Sequence, residues 1–332
     1  NTHLHREIPT IYRVLNSWFM KQATPIICVD WSCLCYAQGR YLLRASVSIK
    51  GRSQVCYQEV HPKAHENNTQ VHEHFLENLQ RVLPPTVNPI IVTDAIFSTY
   101  WFKKVVALGW HFVGRIRKNR GSYFDMARHD WTPIAAAYDG ATVTPHWVGE
   151  VLLTKRQRFP CRLVSYKKKS VGRKKKNRKG GIAKGTYTRE LSKGQTDPWL
   201  LATSLTQVTA KQIVTYYAKR MQIEEEFRDT KSTQYGFGLS ASGSYLHERV
   251  AVLLLIGALA AFLCWLLASL TIKRKQHVDY HANSRKDTGV LSPVFLGRRV
   301  FRRMSHLTLK QLNEAILAFL SFIEQQNREF YE

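Results

Sequence analysis

The sequence predicts an α/β fold in which helices flank a mixed β-sheet. Short apolar strand patterns come first and helices then alternate with strands, and 44% of the 332 residues are hydrophobic, which is enough for a buried core. In chain order we expect strands at 25–32, 40–50 and 53–60, a helix at 69–83, a strand at 88–97, a helix at 98–108 and a strand at 110–118.

Each predicted element has a local reason. The run "PIICVDWS" is a buried-strand pattern that ends in Asp30, and "NPIIVTDAIF" repeats this design with Asp94 at its end. The second strand alternates apolar and polar side chains, and Gly51 marks the turn to the third. Apolar residues recur at helical spacing over 69–83, where Pro84 stops the helix.

The sequence pattern changes between 119 and 207, where turn residues and short strand patterns replace helical periodicity. This change predicts a β-rich insertion. The polar run 167–180 holds nine Lys and Arg and no acid. Such a run is typical of a solvated loop, and its charge also predicts phosphate contacts, with Lys174, Lys175 and Lys176 at its centre.

Helical periodicity returns in the last third of the chain. A helix is expected over 208–231 and an amphipathic helix over 307–323. Between them, 250–272 is a stretch of 23 residues without a charge. Hydropathy alone allows either a membrane span or a helix buried inside a soluble core.

The balance of charge predicts a polyanionic partner. Lys and Arg number 49 against 24 Asp and Glu, for a formal net charge of +25. Nucleic acid is the first expectation because phosphate contacts release condensed counterions, and an anionic membrane is the alternative. The six cysteines form no zinc or CxxC spacing, which indicates a reducing, intracellular setting.

Three consecutive glutamates stand out in "YYAKRMQIEEEFRDTKS". On one continuous helix, Tyr217, Arg220, Glu224 and Lys231 share a stripe about 60° wide at the edge of the apolar face. Glu224 is therefore the carboxylate expected among cations. The alternative is that Glu224 only forms an i,i+4 ion pair with Arg228. Glu225 and Glu226 point elsewhere, so we expect them to be exposed and to serve solubility or surface ion pairs.

The acids also indicate a metal site. A carboxylate that directly follows buried apolar residues needs a cation to neutralise it, and Asp30, Asp94 and Glu224 supply oxygen ligands only. Such ligands favour Mg²⁺ or Mn²⁺, and two such ions can stabilise a phosphoryl displacement.

The spacing Tyr-x2-Arg-x3-Glu-x6-Lys over 217–231 resembles the signature of bacterial cut-and-paste DDE transposases of the IS-four superfamily, which includes the Tn-five and Tn-ten enzymes. The stretches "VDWS", "LRASVSIKGRS", "IVTDAIF", "KRMQIEEEFRDTKS" and "YGFGLS" are similar to the Tn-ten branch. The resemblance covers nearly the whole chain.

The resemblance implies an RNase H-like catalytic core with Asp30, Asp94 and Glu224 as its metal triad for two Mg²⁺ ions, which Mn²⁺ can replace. It implies that Tyr217, Arg220 and Lys231 grip DNA phosphates and that Trp199 stacks on a flipped base during hairpin formation. The alternative for Trp199 is a residue that only packs within its strand. For 250–272 it favours a helix buried in a soluble core over a membrane span.

The expected organisation follows. Residues 1–24 are a remnant of an N-terminal region, 25–118 with 208–272 form the core, 119–207 form the insertion, and 273–332 form a helical region that supports a homodimer on paired ends. The expected activity is cleavage of duplex DNA at transposon ends and strand transfer, in the bacterial cytoplasm. The alternatives are an RNase H-like nuclease without strand transfer, a non-catalytic DNA-binding relative, and a basic membrane-anchored protein.

Overall fold

The computed structural model describes residues 2–35, 39–49, 51–169, 197–244, 246–281, 290–304 and 306–331. Its contacts divide the chain into two compact units, the first made of 1–89 with 219–332 and the second of 90–218. In chain order the described elements are α1 (Thr2–Phe19), β1 (Ile26–Cys35), β2 (Arg40–Ile49), β3 (Arg52–Pro62), α2 (Thr69–Val82), β4 (Ile90–Thr93), α3 (Thr99–Ala107), β5 (His111–Ile116), β6 (Ser122–Asp125), β7 (Asp130–Pro133), α4 (Ile134–Asp139), β8 (His146–Leu153), β9 (Phe159–Tyr166), β10 (Trp199–Thr203), α5 (Ala210–Ala218), α6 (Met221–Lys231), α7 (His247–Lys273), α8 (Pro293–Arg303) and α9 (Leu309–Tyr331).

The first unit contains an antiparallel three-stranded layer in the order β3-β2-β1. Helices α1, α2 and α7 pack against β3, while α6 contacts all three strands. The predicted helix at 69–83 is confirmed as α2. Its apolar residues Phe75 and Leu79 are fully buried, and the side chain of Asn68 caps it by accepting hydrogen bonds from the backbone of Gln70 and Val71.

The long apolar helix α7 has length and composition that would allow it to cross a membrane, with a mean hydropathy of 2.8. Half of its most apolar stretch is buried, and it packs against α1, β3, α8 and α9 within the first unit. Leu267 and Ala268 of α7 form one apolar cluster with Leu296 and Val300 of α8. The described helix therefore contributes to the core of this unit.

The second unit contains a mixed sheet in the order β4-β5-β10-β9-β8-β6-β7. The pair β4–β5 is parallel. The neighbouring strands along the rest of this order, β5-β10-β9-β8-β6-β7, pair antiparallel. Phe102 of α3 stacks on Phe112 of β5 with 4.4 Å between ring centroids. Gly114 makes this approach possible, because a Cβ at that position would lie 2.3 Å from the Phe102 ring.

One sequence expectation needs correction, and the expectations about domains and about the lysine run stay predictions. The predicted helix at 208–231 is two helices, α5 and α6, with Lys219 and Arg220 between them. Residues 90–118 cluster with the region expected as the insertion, so the predicted domain boundaries stay a prediction. Residues 1–24, expected as a remnant, include the 18-residue helix α1. Lys174, Lys175 and Lys176 lie outside the described residues.

Candidate active site

Asp30 lies in the middle of β1, not at the end of a strand as its sequence pattern indicated. The ladder continues past it because Trp31, Ser32 and Cys33 pair with residues of β2, and Asp30 itself stands opposite Arg44. The carboxylate is buried, and its Oδ1 accepts a 2.8 Å hydrogen bond from the backbone N–H of Trp31. This arrangement leaves Oδ2 to meet a cation.

Arg220 supplies that cation and joins Asp30 to Glu224. Its Nη1 donates to Asp30 Oδ2 at 3.1 Å, and its Nη2 lies 2.6 Å from Glu224 Oε1. Glu224 stands in the first turn of α6, where the helix dipole favours a negative charge. Glu224 thus lies beside Arg220, one of the cations on its predicted stripe, whereas Arg228 pairs with Glu225.

The two carboxylates fit a hard cation. Asp30 and Glu224 offer oxygen ligands, and both are already drawn to one positive group. Among the described residues, no three His, Cys, Asp or Glu side chains form a metal-ligand cluster. The third expected ligand, Asp94, belongs to the second unit, so the complete triad stays a prediction.

Asp94 follows β4 directly, as its sequence pattern indicated. Its Oδ1 accepts a 2.9 Å hydrogen bond from the backbone N–H of Ile96, which closes a short turn before α3. The residue is partly exposed. The turn therefore fixes the position of Oδ1 of the Asp94 carboxylate.

Lys231 ties the far end of α6 to the strand that carries Asp30. Its Nζ donates to Ser32 Oγ at 2.8 Å and to the carbonyl oxygen of Cys33 at 3.2 Å. Burial lowers the pKa of this lysine. Arg220 and Lys231, two of the four signature residues, therefore fasten α6 to β1 at both ends.

The expectation that Glu226 is exposed is wrong. It is 7% exposed, it accepts hydrogen bonds from Ser46 and Ser53, and its Oε1 lies 3.7 Å from Nη1 of Arg44. Burial raises the pKa of Glu226 despite these partners. An acid can be buried here because β2 and β3 present a guanidinium and two hydroxyl groups to this face of α6.

Glu225 is partly exposed, which is less than the sequence predicted. It pairs with Arg228 at 2.8 Å and lies 3.7 Å from Arg52. The surface ion pair expected for Glu225 is confirmed, and its partner is Arg228. The buried face of this segment is wider than one continuous helix over 217–231 predicts, because Asp229 is buried as well.

Trp199 and Tyr217 lie together in the second unit. The Trp199 ring meets the Tyr217 ring edge to face with 4.8 Å between centroids, and Tyr166 lies on the neighbouring strand at 5.6 Å. Tyr217 is 3% exposed, whereas Trp199 is partly exposed. Tyr217 thus supports the Trp199 ring, and the DNA contacts expected of both residues stay predictions.

Sequence reasoning missed Arg44 and its two serine neighbours, Ser46 and Ser53. Arg44 is 1% exposed, donates to Gln58 Oε1 at 2.8 Å and to Thr230 at 2.9 Å, and faces Glu226. A signal was available, because Arg44 sits inside an apolar strand pattern where a charge needs a buried partner.

Comparison with known proteins supplies an independent observation. Residues 21–263, more than half of the chain, match the family model described as the transposase DDE domain. No curated protein matches the chain. The matched range includes Asp30, Asp94 and the whole of α6.

Proposed function

The chain belongs to the family of transposase DDE domains, and from this premise we propose that it cuts DNA at transposon ends and joins the freed 3′-hydroxyl to target DNA. The observation that carries the proposal is the pair of carboxylates, Asp30 and Glu224, held on either side of Arg220 inside the matched range. The finer assignment, to the Tn-ten branch of the IS-four superfamily, rests on the signature at 217–231.

Asp30, Asp94 and Glu224 are the residues that would hold Mg²⁺, or Mn²⁺ in its place. Two bound ions would supply charge stabilisation for the attacking and leaving oxygens of an in-line displacement. Water is the first nucleophile and the freed 3′-hydroxyl the second, so the reaction needs no covalent bond between protein and DNA.

Arg220 and Lys231 are proposed to bind backbone phosphates of the DNA. Two donors of Arg220 engage carboxylates and Lys231 makes two hydrogen bonds to β1. These protein contacts hold both cations in place, and their positive charge would attract backbone phosphates. Phosphate contacts of this kind orient the duplex without selecting its sequence.

Trp199 is proposed to hold a flipped base when the cut end closes into a hairpin. Its partly exposed ring rests on Tyr217, which gives a firm aromatic surface, and stacking of a base on such a ring contributes about 1–3 kcal/mol. Lys174, Lys175 and Lys176 are proposed to add phosphate contacts. The active form on two paired ends is proposed to be a homodimer, working in the bacterial cytoplasm.

The test uses the protein with the inverted repeats that flank its gene, supplied as a pre-cleaved end together with a supercoiled plasmid and Mg²⁺. The proposal expects a joined product of end and plasmid. Hydrolysis without any joined product would support a nuclease instead, and DNA binding without cleavage would support a non-catalytic relative.

A gel that resolves nicked, hairpin and double-strand-break products tests the role of Trp199. Trp199→Ala is expected to slow the hairpin step more than the first nick, because nicking needs only the carboxylates, the metal and a water molecule. Equal slowing of both steps would make Trp199 a structural residue of β10.

A further inference from the structure

A basic cleft opens in the second unit, starting one residue after Asp94. Its volume is about 280 Å³, and its wall includes residues from the start of α3, the end of β5 and the β8–β9 turn. Four arginines line it and none of its lining residues is Asp or Glu; the arginines are Arg115, Arg117, Arg120 and Arg156.

The arginines lie on two segments that the sheet brings side by side. Arg115 and Arg117 belong to the end of β5 and the residues after it, whereas Arg156 belongs to the turn between β8 and β9. Arg117, Arg120 and Arg156 are exposed. Without a lining carboxylate, these like charges repel one another, and an anion between them would relieve that repulsion.

Arg115 carries a donor that has no partner in the described structure. Its Nε is buried and makes no hydrogen bond, although Nη2 donates to the carbonyl oxygen of Pro198 at 3.3 Å. A buried N–H of a charged group without an acceptor is costly, and Arg115 belongs to the cleft wall, where an anion would offset its charge.

The amino end of α3 adds to the same field. Ser98, Thr99 and Tyr100 line the cleft, and the Ser98 side chain makes no hydrogen bond to cap the helix. The helix dipole places partial positive charge at this end, where anions bind favourably. Tyr100 is 40% exposed and offers an aromatic edge beside the arginines.

We infer that this cleft binds a phosphodiester of the DNA backbone. The inference rests on the proposed function, since it assigns DNA as the source of the anion, and it places a DNA contact next to Asp94 that the signature residues do not include. A cleft of this volume suits a phosphate with its sugar, so its contacts position the strand and carry no base recognition.

The experiment measures binding of one fixed duplex by fluorescence anisotropy over a range of salt concentrations. The variant R117Q/R120Q/R156Q removes three cleft charges and leaves Asp94 unchanged. The control R6Q/R249Q/R302Q removes three charges from exposed positions of the first unit, so that both variants have the same net charge.

The slope of log K against log salt is expected to become shallower by about 0.9 for each lost phosphate contact in the cleft variant and to stay near the wild-type value in the control. Arg115→Gln alone is expected to weaken binding at low salt. Equal slopes in the two triple variants would overturn the inference.

The proposed function is judged separately by the joined product of the wild-type protein. Joined product together with equal slopes would discard the cleft assignment and keep the transposase proposal. A wild-type protein that binds no duplex at low salt would contradict both.

Discussion

Arg220 donates a 3.1 Å hydrogen bond from Nη1 to Oδ2 of Asp30, although 190 residues separate the two in the chain. The same guanidinium lies 2.6 Å from Glu224, so one side chain connects β1 to the first turn of α6. Two carboxylates that would repel each other are thus held beside one positive charge.

Removal of Arg220 is expected to destabilise the protein most when Mg²⁺ is absent. In Arg220→Ala the buried Asp30 loses its neutralising partner, at a cost of about 1–3 kcal/mol, and added Mg²⁺ is expected to recover part of the loss. Urea unfolding with and without Mg²⁺ measures this. Arg228→Ala, which breaks the pair with the half-buried Glu225, is the control and should cost less than about 1 kcal/mol. No difference between the variants would contradict the role of Arg220.

Glu226 is expected to matter for folding. Glu226→Ala leaves Arg44 buried without its carboxylate and should lower the free energy of unfolding by about 3–5 kcal/mol. Glu225→Ala, one residue away, should cost less than about 1 kcal/mol. Chemical denaturation of the two variants compares these values. A Glu226→Ala protein as stable as Glu225→Ala would show that the buried pair is not formed.

Gly297 is expected to tolerate no side chain. A Cβ at Gly297 of α8 would lie 2.1 Å from the carbonyl oxygen of Cys264 in α7, and backbone atoms cannot move aside easily. Gly297→Ala should cost at least about 1–3 kcal/mol. In α7, Gly257 has no neighbour within 4 Å of its missing Cβ, so Gly257→Ala should stabilise by about 0.5–1 kcal/mol. Thermal unfolding measures the stability of both variants. A Gly297→Ala protein as stable as wild type would contradict the close packing of α8 against α7.

Asp229 is expected to make stability depend on pH. Burial raises its pKa from 3.8 to about 6, so the folded protein keeps a proton that the unfolded chain has released. The stability from this group is present below about pH 4 and is lost as the pH rises to about 6. The advantage of Asp229→Asn over wild type should therefore grow across this range. A constant difference between Asp229→Asn and wild type would refute the assignment.

Local patterns in the sequence predicted much of the fold. Helix α1 was not predicted, but the other strands and helices of the first 118 residues lie within a few residues of their expected positions because each combines a clear period with a turn or cap. The helix wheel placed Glu224 beside Arg220, as the structure does, and failed for the buried Glu226. Burial of Glu226 depends on Arg44, Ser46 and Ser53, which lie more than 170 residues away, and no local period contains such a partner.

Domain organisation was harder to predict for a similar reason. The signature at 217–231 reads as one continuous helix, whereas the chain passes from the second unit to the first between α5 and α6. The basic cleft was also missed, since its four arginines are separated by up to 41 positions, from 115 to 156, and share no motif. Contacts that depend on sheet order are not encoded in local spacing.

The most direct test of the central claim is end cleavage by Asp30→Ala, Asp94→Ala and Glu224→Ala, with Glu225→Ala as the neighbouring control. Cleavage in Mg²⁺ is expected to fall below detection in the first three and to stay near wild type in the control, while all four bind the same duplex. Normal cleavage by Glu224→Ala, or loss of cleavage in Glu225→Ala alone, would contradict the assignment of Asp30, Asp94 and Glu224 as the catalytic acids.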